Sequence, residues 1–282
     1  MKVRESMTES GVSNLLRRIA VALAGVPLIL WLNAMGGWYF FSLSTLLTLL
    51  GVYEFHRLLS KSSPPPLLLF LLFSILLQLN FLYQKVEGWL LVMVLLIVLL
   101  VVELFRTNPS KVVSIGASMT ALLYVNISFG SLFLIRASEP YGASLVLLLL
   151  MCIWSTDIFA YFGGRGLGRK FFRQKFFERY SPQKTWEGYI SGCLGGVAGS
   201  MVYLFFDAAL SHVFALFTGL VTGLFSPLGD LVESMFKREA GVKDSSALIP
   251  GHGGVLDRFD TLMFMSPLLY LLLYFFGMLN GV

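Results

Sequence analysis

The chain alternates between long apolar segments and short polar ones along almost its whole length. A membrane-spanning helix needs about 20 largely apolar residues, and this pattern predicts nine transmembrane helices. Their expected bounds are 15–34, 38–58, 66–84, 88–105, 112–135, 142–163, 188–206, 210–236 and 259–279. Chain breakers or charges separate the segments, as at Pro64-Pro65-Pro66 and Ser181-Pro182.

The composition favours a chain that folds in lipid. Hydrophobic residues make up 56% of the sequence and charged residues 13%, whereas a soluble domain carries about 25% charged residues. The apolar runs lack the ten-residue alternation of outer-membrane barrels, so we predict an all-α integral membrane protein. Cys152 and Cys193 lie in apolar stretches without a C-x-x-C pair, which argues against a disulfide framework or a zinc site.

The distribution of positive charge predicts the orientation. With a cytoplasmic N-terminus, 19 of the 21 Lys and Arg residues fall on the cytoplasmic side, and Lys85 and Arg136 fall on the other. Cytoplasmic loops of membrane proteins are enriched in these residues. The first span follows Arg17-Arg18 but no clear A-x-A site comes after it, so we expect it to be retained. The excess of positive charge is therefore explained by membrane topology, and no nucleic-acid partner is predicted.

The chemistry is concentrated in the second half of the chain. Residues 1–140 hold the first five predicted helices, and residues 141–282 hold the last four with cytoplasmic loops 164–187 and 237–258. The first loop carries seven cations interleaved with aromatic residues, a pattern also typical of an interfacial helix that binds anionic headgroups. The second mixes cations, anions and glycines, which topology alone does not require.

Ionisable residues occur inside several predicted spans, where they are costly and usually functional or paired. Carboxylates and cations share faces near the cytoplasmic helix ends; they are Asp157, then Asp230, Glu233, Lys237 and Arg238, then Asp257 and Asp260. Hard oxygen ligands beside Lys and Arg are what a magnesium–triphosphate site requires. Two structural alternatives stay open, namely an ion pair between Asp230 and Lys237 and an N-terminal helix cap by Asp257.

A glycine-rich loop precedes the last predicted helix. The segment Ile249-Pro250-Gly251-His252-Gly253-Gly254 allows backbone N–H groups to approach an anion, and the following helix N-terminus adds its dipole. His252 lies between glycines, so we expect it to face a ligand. The alternative is a flexible turn that leads into a helix.

Three segments together resemble the phosphatidate cytidylyltransferases, also called CDP-diacylglycerol synthases. Residues 234–260 read S-x-x-K-R-x-x-x-x-K-D-x-S-x-x-I-P-G-H-G-G-V-x-D-R-F-D, which is similar to the signature of that family. The segments D-x-x-A-Y-x-x-G at 157–164 and S-P-Q-K-T-W-E-G at 181–188 also resemble it. The family more often has Lys where Gln183 stands, so Lys184 is the residue expected to act.

This resemblance implies transfer of CMP from CTP to phosphatidate, giving CDP-diacylglycerol and pyrophosphate in phospholipid biosynthesis. The expected partners are CTP, phosphatidate, membrane lipid and Mg²⁺, at the cytoplasmic face of the inner membrane. A monovalent cation is left open, and a homodimer is a family-level expectation. The expected metal ligands are Asp230 and Asp257, with Asp157, Asp244 and Asp260 in second rank. Phosphate and nucleotide contacts are expected from Lys170, Ser181, Lys184, Lys237, Arg238, Lys243, His252, Gly253, Gly254 and Arg258.

Other functional classes agree less well with the sequence. Intramembrane charges and glycine-interrupted helices also suit a transporter, but the motifs crowd into one half of the chain. The D-G-x-x-A-R core of enzymes that consume CDP-diacylglycerol is absent. An enzyme that uses CTP on another lipid acceptor, such as a polyprenol, stays open.

Overall fold

The described part of the chain is almost entirely helical, with one short hairpin. A computed structural model describes residues 19, 21–62, 64–107, 110–207, 209–249 and 253–278. The first helices are α1 Val21–Met35, α2 Gly37–Leu58, α3 Leu67–Tyr83, α4 Gly88–Phe105 and α5 Lys111–Ala137. They are followed by α6 Gly142–Leu167, α7 Trp186–Phe206, α8 His212–Ala240 and α9 Val255–Phe275. A 3-10 turn, Leu59–Ser62, follows α2, and strands β1 Lys175–Phe177 and β2 Ser181–Thr185 pair antiparallel between α6 and α7.

Within the described residues, five helices are long and apolar enough to cross a membrane, namely α4 to α8. The helices α1 and α3 are also apolar but shorter. Large apolar side chains stay exposed on the outer surface, including Phe105 at 82%, as expected where lipid replaces water. The predicted all-α membrane class is therefore confirmed, while the nine spans and the cytoplasmic N-terminus stay predictions.

Helix α5 lies at the centre of the packing and has the largest buried share of the five candidate spans. It packs against α2 and α9, and its residues Leu122, Val125 and Phe129 are fully buried. Ser44 of α2 donates a 2.7 Å hydrogen bond to the carbonyl O of Phe129, which ties the two helices together. The first half of the chain thus shares a core with α9, one of the helices that carry the motif residues.

Glycines let α7 approach its neighbours closely. A Cβ added at Gly199 would lie 2.6 Å from the carbonyl O of Met151 on α6, and one added at Gly196 would lie 2.3 Å from the carbonyl O of Gly219 on α8. The row Ser191, Gly195 and Gly199 predicts a close helix-packing face. That prediction is confirmed, since Gly195 and Gly199 both lie against α6 within this chain.

We expect Gly199→Ala to destabilise the protein by about 1–3 kcal/mol, because a methyl group there meets backbone atoms of α6 that cannot turn away. The matched control is Gly116→Ala on α5, where an added Cβ meets nothing within 4 Å. That substitution should be neutral, or stabilising by up to about 1 kcal/mol, because Ala favours helix more than Gly. Thermal unfolding in detergent measures both, and equal melting temperatures for the two variants would contradict the packing described.

Polar contacts tie the helices together at two opposite ends. At one end, Arg136 of α5 donates through Nε to the carbonyl O of Asn33 on α1 at 2.6 Å. At the other, Glu54 near the C-terminal end of α2 accepts from the N–H groups of Val255 and Leu256, at the start of α9. The C-terminal ends of α6 and α8 and the N-terminal ends of α7 and α9 gather at this second end, where the motifs lie.

Candidate active site

A cavity of about 600 Å³ opens between α6, the hairpin and the ends of α7, α8 and α9. It brings together residues of the three segments that the sequence analysis identified. The predicted site residues along its wall are Asp157, Ser181, Lys184, Asp230, Asp257, Arg258 and Asp260. Segments far apart in the chain therefore contribute to one charged cavity.

Lys184 joins the hairpin to α8. Its Nζ lies 2.9 Å from Oδ2 of Asp230 and donates to the carbonyl O of Pro227 at 3.0 Å. Pro227 has no N–H, so it leaves the carbonyl of Gly223 one turn earlier without a helical donor, and Cys193 of α7 donates to that carbonyl at 3.5 Å. The alternative of an ion pair between Asp230 and Lys237 is therefore wrong, because Asp230 pairs with Lys184.

Lys237 is buried between two carboxylates. Its Nζ lies 2.5 Å from Oε2 of Glu233 on the same helix and 2.6 Å from Oδ1 of Asp257 on α9. The other oxygen of Asp257 accepts from Gly254 N at 2.8 Å and from Ser245 N at 2.9 Å. The capping alternative for Asp257 is therefore realised, because Gly254 precedes the first residue of α9.

Three carboxylates converge on one point beside this ion pair. Oxygens of Asp230, Glu233 and Asp260 lie within 4.8 Å of one another. Among the described residues, Oε1 of Glu233 is buried and has no hydrogen-bond partner. Carboxylate oxygens are the ligands that Mg²⁺ prefers, so the residues present fit a divalent ion, and Glu233 extends the predicted ligand set.

The loop between α6 and α7 is a hairpin, so the interfacial-helix alternative for 164–187 is wrong. Glu187, in the first turn of α7, is buried and accepts from the backbone N–H groups of Phe171 and Phe172 at 3.0 and 2.9 Å. This contact between distant residues holds the loop against the end of α7. On the exposed side of the hairpin, a hydrogen bond from Lys175 lowers the pKa of the Glu178 carboxyl.

Other predicted residues lie away from the cavity wall. Among the described residues, Lys170, Lys243 and Asp244 are exposed and do not line the cavity. Arg238 is exposed as well, and it donates to the carbonyl O of Val242 at 3.2 Å, next to the C-terminal end of α8. Their proposed contacts with phosphate or metal stay predictions.

The glycine loop is described only in part, since His252 lies outside the described residues. Gly253 has φ +83°, a conformation that favours glycine, and its carbonyl O accepts from Ile249 N at 2.8 Å. The N–H of Gly254 points to Asp257. In this arrangement the Gly254 N–H serves the helix cap, and the nucleotide contacts predicted for the loop stay predictions.

Sequence reasoning missed Glu54, which belongs to the first half of the chain. Its carboxylate is fully buried and contacts Ser245, Ser246 and the first residues of α9. A signal was available, because Glu54 lies inside a predicted span, where a charge indicates function or pairing. The signature at 234–260 lies in the second half of the chain and gives no indication of a residue in the first half.

Comparison with known proteins decides the family. A model of the cytidylyltransferase family matches residues 16–276. The chain belongs to this family. A phosphatidate cytidylyltransferase from Brucella abortus biovar 1 is 36% identical over 268 residues, covering 92% of this chain and 93% of the relative. One from a Synechocystis species is 30% identical over 294 residues, covering 90% and 94%.

Membership of the cytidylyltransferase family extends well beyond the signature. A phosphatidate cytidylyltransferase from Bacillus subtilis is 38% identical over 164 residues, which is 58% of this chain and 60% of the relative. The family match and the Brucella relative also include most of the N-terminal helices, where the sequence carries no motif. The predicted family and the predicted enzyme class, a nucleotidyltransferase, are therefore confirmed.

Proposed function

We propose that the chain transfers CMP from CTP to phosphatidate, giving CDP-diacylglycerol and pyrophosphate, as a step of phospholipid biosynthesis. One observation carries the proposal, namely that the carboxylates of α8 and α9 share a cavity with Lys184 and Arg258. The chain's family and the names of its relatives support the same reaction.

The chemistry requires positioning more than proton transfer. A phosphomonoester oxygen of phosphatidate attacks the α-phosphorus of CTP, and the bond from that phosphorus to the bridging oxygen breaks as pyrophosphate leaves. The attacking oxygen already carries charge near neutral pH, so no strong general base is needed. Two anionic substrates must instead be brought together and held in line, and the charge on the leaving pyrophosphate must be stabilised.

The cavity residues divide this work. Lys184 and Arg258 neutralise substrate phosphates, while Lys237 is held by Glu233 and Asp257 close to the same wall. Asp230, Glu233 and Asp260 are the residues that would hold Mg²⁺. When bound, Mg²⁺ supplies positive charge that offsets the charge of the triphosphate. Asp157 borders the cavity from α6, and the metal role of Asp257 stays a prediction.

We place the reaction at the cytoplasmic face of an inner membrane that the chain crosses nine times. The charge distribution supports a cytoplasmic N-terminus, since 19 of 21 Lys and Arg residues then lie inside. In a nine-span topology with a cytoplasmic N-terminus, α2 ends and α9 begins on the cytoplasmic side. The contact between the end of α2 and the start of α9 supports this arrangement. The outer surface of α6 near the cavity is apolar, with Phe159 and Phe162 exposed, so acyl chains can reach the site sideways from the bilayer.

Mass spectrometry of the lipid product tests this function. Purified protein in lipid-supplemented detergent is incubated with CTP, Mg²⁺ and either an equimolar mixture of phosphatidate and a polyprenol or the polyprenol alone. We expect CDP-diacylglycerol to form, to depend on phosphatidate and to cease when EDTA removes the divalent ion. A product carried only by the polyprenyl acceptor would contradict the proposed substrate, and unconsumed CTP would contradict the reaction itself.

A further inference from the structure

Glu54 connects the N-terminal helices to the site. It lies near the C-terminal end of α2, 191 residues before Ser245 in the chain, and its side chain is 0% exposed. An isolated carboxylate is costly to bury, so a fully buried one needs several hydrogen-bond donors. Within the part of the chain that the structure describes, its donors come from the loop after α8 and from the start of α9.

Both oxygens of the Glu54 carboxylate accept hydrogen bonds. Oε1 accepts from Ser246 Oγ at 2.6 Å and from Val255 N at 2.8 Å. Oε2 accepts from Leu256 N at 2.9 Å and lies 2.9 Å from Ser245 Oγ. Val255 and Leu256 are the first residues of α9, whose N–H groups have no acceptor within the helix. A residue of α2 therefore caps α9 from outside.

Ser245 links Glu54 to the site. Its Oγ lies 2.9 Å from Oε2 of Glu54 and also 2.9 Å from Oδ2 of Asp257. Asp257 in turn holds the buried Lys237 at 2.6 Å. Gly254 allows this close approach, because a Cβ at that position would overlap the Glu54 carboxylate. A continuous chain of contacts thus runs from α2 to the cavity wall.

We infer that Glu54 is a positioning residue for CMP transfer, which holds Ser245 and the start of α9 so that Asp257, Arg258 and Asp260 line the cavity. The inference rests on the proposed function. A local Ser, Thr or Asn could cap α9 without burying a charge. Asp257 caps α9 locally through the Gly254 N–H, but the next two N–H groups, of Val255 and Leu256, are bound from α2, so a helix outside the signature helps to set the position of α9. This assigns the N-terminal helices a part in building the site.

Glu54→Gln tests the inference with almost no change in shape. In either orientation its amide nitrogen would face one backbone N–H donor, that of Val255 or of Leu256, so at least one contact is lost. A displacement of about 1 Å at a site can cost about a hundredfold in rate. We expect kcat to fall roughly 10- to 100-fold, with KM for CTP changing by less than about threefold.

Glu103→Gln on α4 is the matched control. Glu103 is 1% exposed and accepts from Ser114 Oγ at 2.9 Å, yet it does not line the cavity. Per folded protein, its kcat should stay within about threefold of the wild type. An equal fall in both variants would reduce Glu54 to a general structural role and overturn the inference.

A double-mutant cycle tests whether Glu54 acts through Ser245. Ser245→Ala removes one hydroxyl, and it is a milder probe should Glu54→Gln fail to fold. We expect the double variant to be no slower than the slower single variant by more than about twofold, because both changes break the same chain of contacts. Losses in kcat that multiply would show independent effects and overturn the inference.

Hydrogen exchange provides a readout that does not depend on activity. In Glu54→Gln, or in Ser245→Ala, amides of residues 245–256 should exchange about tenfold faster than in the wild type, with α7 unchanged. Glu103→Gln should match the wild type over 245–256. An inactive wild type would refute the proposed function while leaving this measurement intact. Wild-type exchange at 245–256 in both site variants would overturn the positioning role.

Discussion

Replacing Asp260 with Asn is expected to lower the rate of CMP transfer by about a thousandfold while the protein stays folded. The carboxylate of Asp260 lies beside those of Asp230 and Glu233. Asn keeps the shape of the Asp side chain but removes its negative charge. A thousandfold loss corresponds to about 4 kcal/mol of transition-state stabilisation. Because Asp230 and Glu233 remain, the variant should retain weak activity whose Mg²⁺ requirement is raised.

Asp207→Asn is the control for the Asp260 variant. Asp207 follows α7 at the opposite end of the bundle, where its Oδ2 accepts from Ser144 Oγ at 2.6 Å. Its substitution should leave the rate within about twofold, since an exposed or distant polar change rarely exceeds about 0.5 kcal/mol. Initial rates across a Mg²⁺ titration measure both variants. An Asp260→Asn variant that keeps more than a tenth of the wild-type rate would contradict the metal role.

Replacing Lys237 with Met should have the largest effect on stability. The Lys237 side chain is buried between Glu233 and Asp257, so the neutral residue leaves two carboxylates without their shared cation. Removing one partner of a buried ion pair costs about 3–5 kcal/mol. Transfer activity should be lost as well, because Asp257 lines the cavity and Glu233 belongs to the cluster of three carboxylates.

Thermal unfolding in detergent measures this loss against Lys111→Met, an exposed cation at the start of α5. That control should change stability by less than about 0.5 kcal/mol. Adding Glu233→Gln to Lys237→Met should recover part of the stability, because it removes one of the uncompensated charges. A Lys237→Met protein as stable as the wild type would mean that the ion pairs contribute nothing to folding.

Apolar length predicted the helices well, because in lipid the backbone has few alternatives. The predicted span 88–105 coincides with α4, and 38–58 differs from α2 by one residue. The errors lie where helices extend beyond the apolar region. Helix α8 runs to Ala240, where Gly241 in the left-handed region ends it, and α9 starts at Val255 instead of 259. Hydropathy does not detect the polar helical turns that continue α8 beyond its apolar segment or precede the apolar segment of α9.

That charged residues from several helix ends lie together could also be predicted, and they do so at one end of the bundle. The ion pairs that these charged residues form could not be predicted. Helical offsets suggested Asp230 with Lys237, whereas Asp230 pairs with Lys184 of the hairpin and Lys237 with Glu233 and Asp257. Glu233 and Lys237 are four residues apart on α8, but Lys184 and Asp257 come from elements far apart from α8 in sequence, and periodicity within one helix cannot reveal such partners.

Contacts between distant segments explain the remaining differences. The hairpin is held by Glu187 through backbone amides of Phe171 and Phe172, although the charge and aromatic pattern of the loop is compatible with an amphipathic helix. Glu54 acts across the fold on α9. Both are buried carboxylates that accept from main-chain N–H groups, and no spacing rule in the sequence indicates which amides they meet.

In the proposed reaction the α-phosphate of CTP moves to phosphatidate, whereas the γ-phosphate leaves with pyrophosphate. Purified protein is given CTP labelled at either the α- or the γ-phosphate, together with phosphatidate and Mg²⁺, and the label is then partitioned between organic and aqueous phases. We predict that α-label enters the lipid phase only when phosphatidate and Mg²⁺ are present, while γ-label stays aqueous as pyrophosphate. Absence of α-label from the lipid, or entry of γ-label, in a well-folded preparation would contradict the proposed reaction.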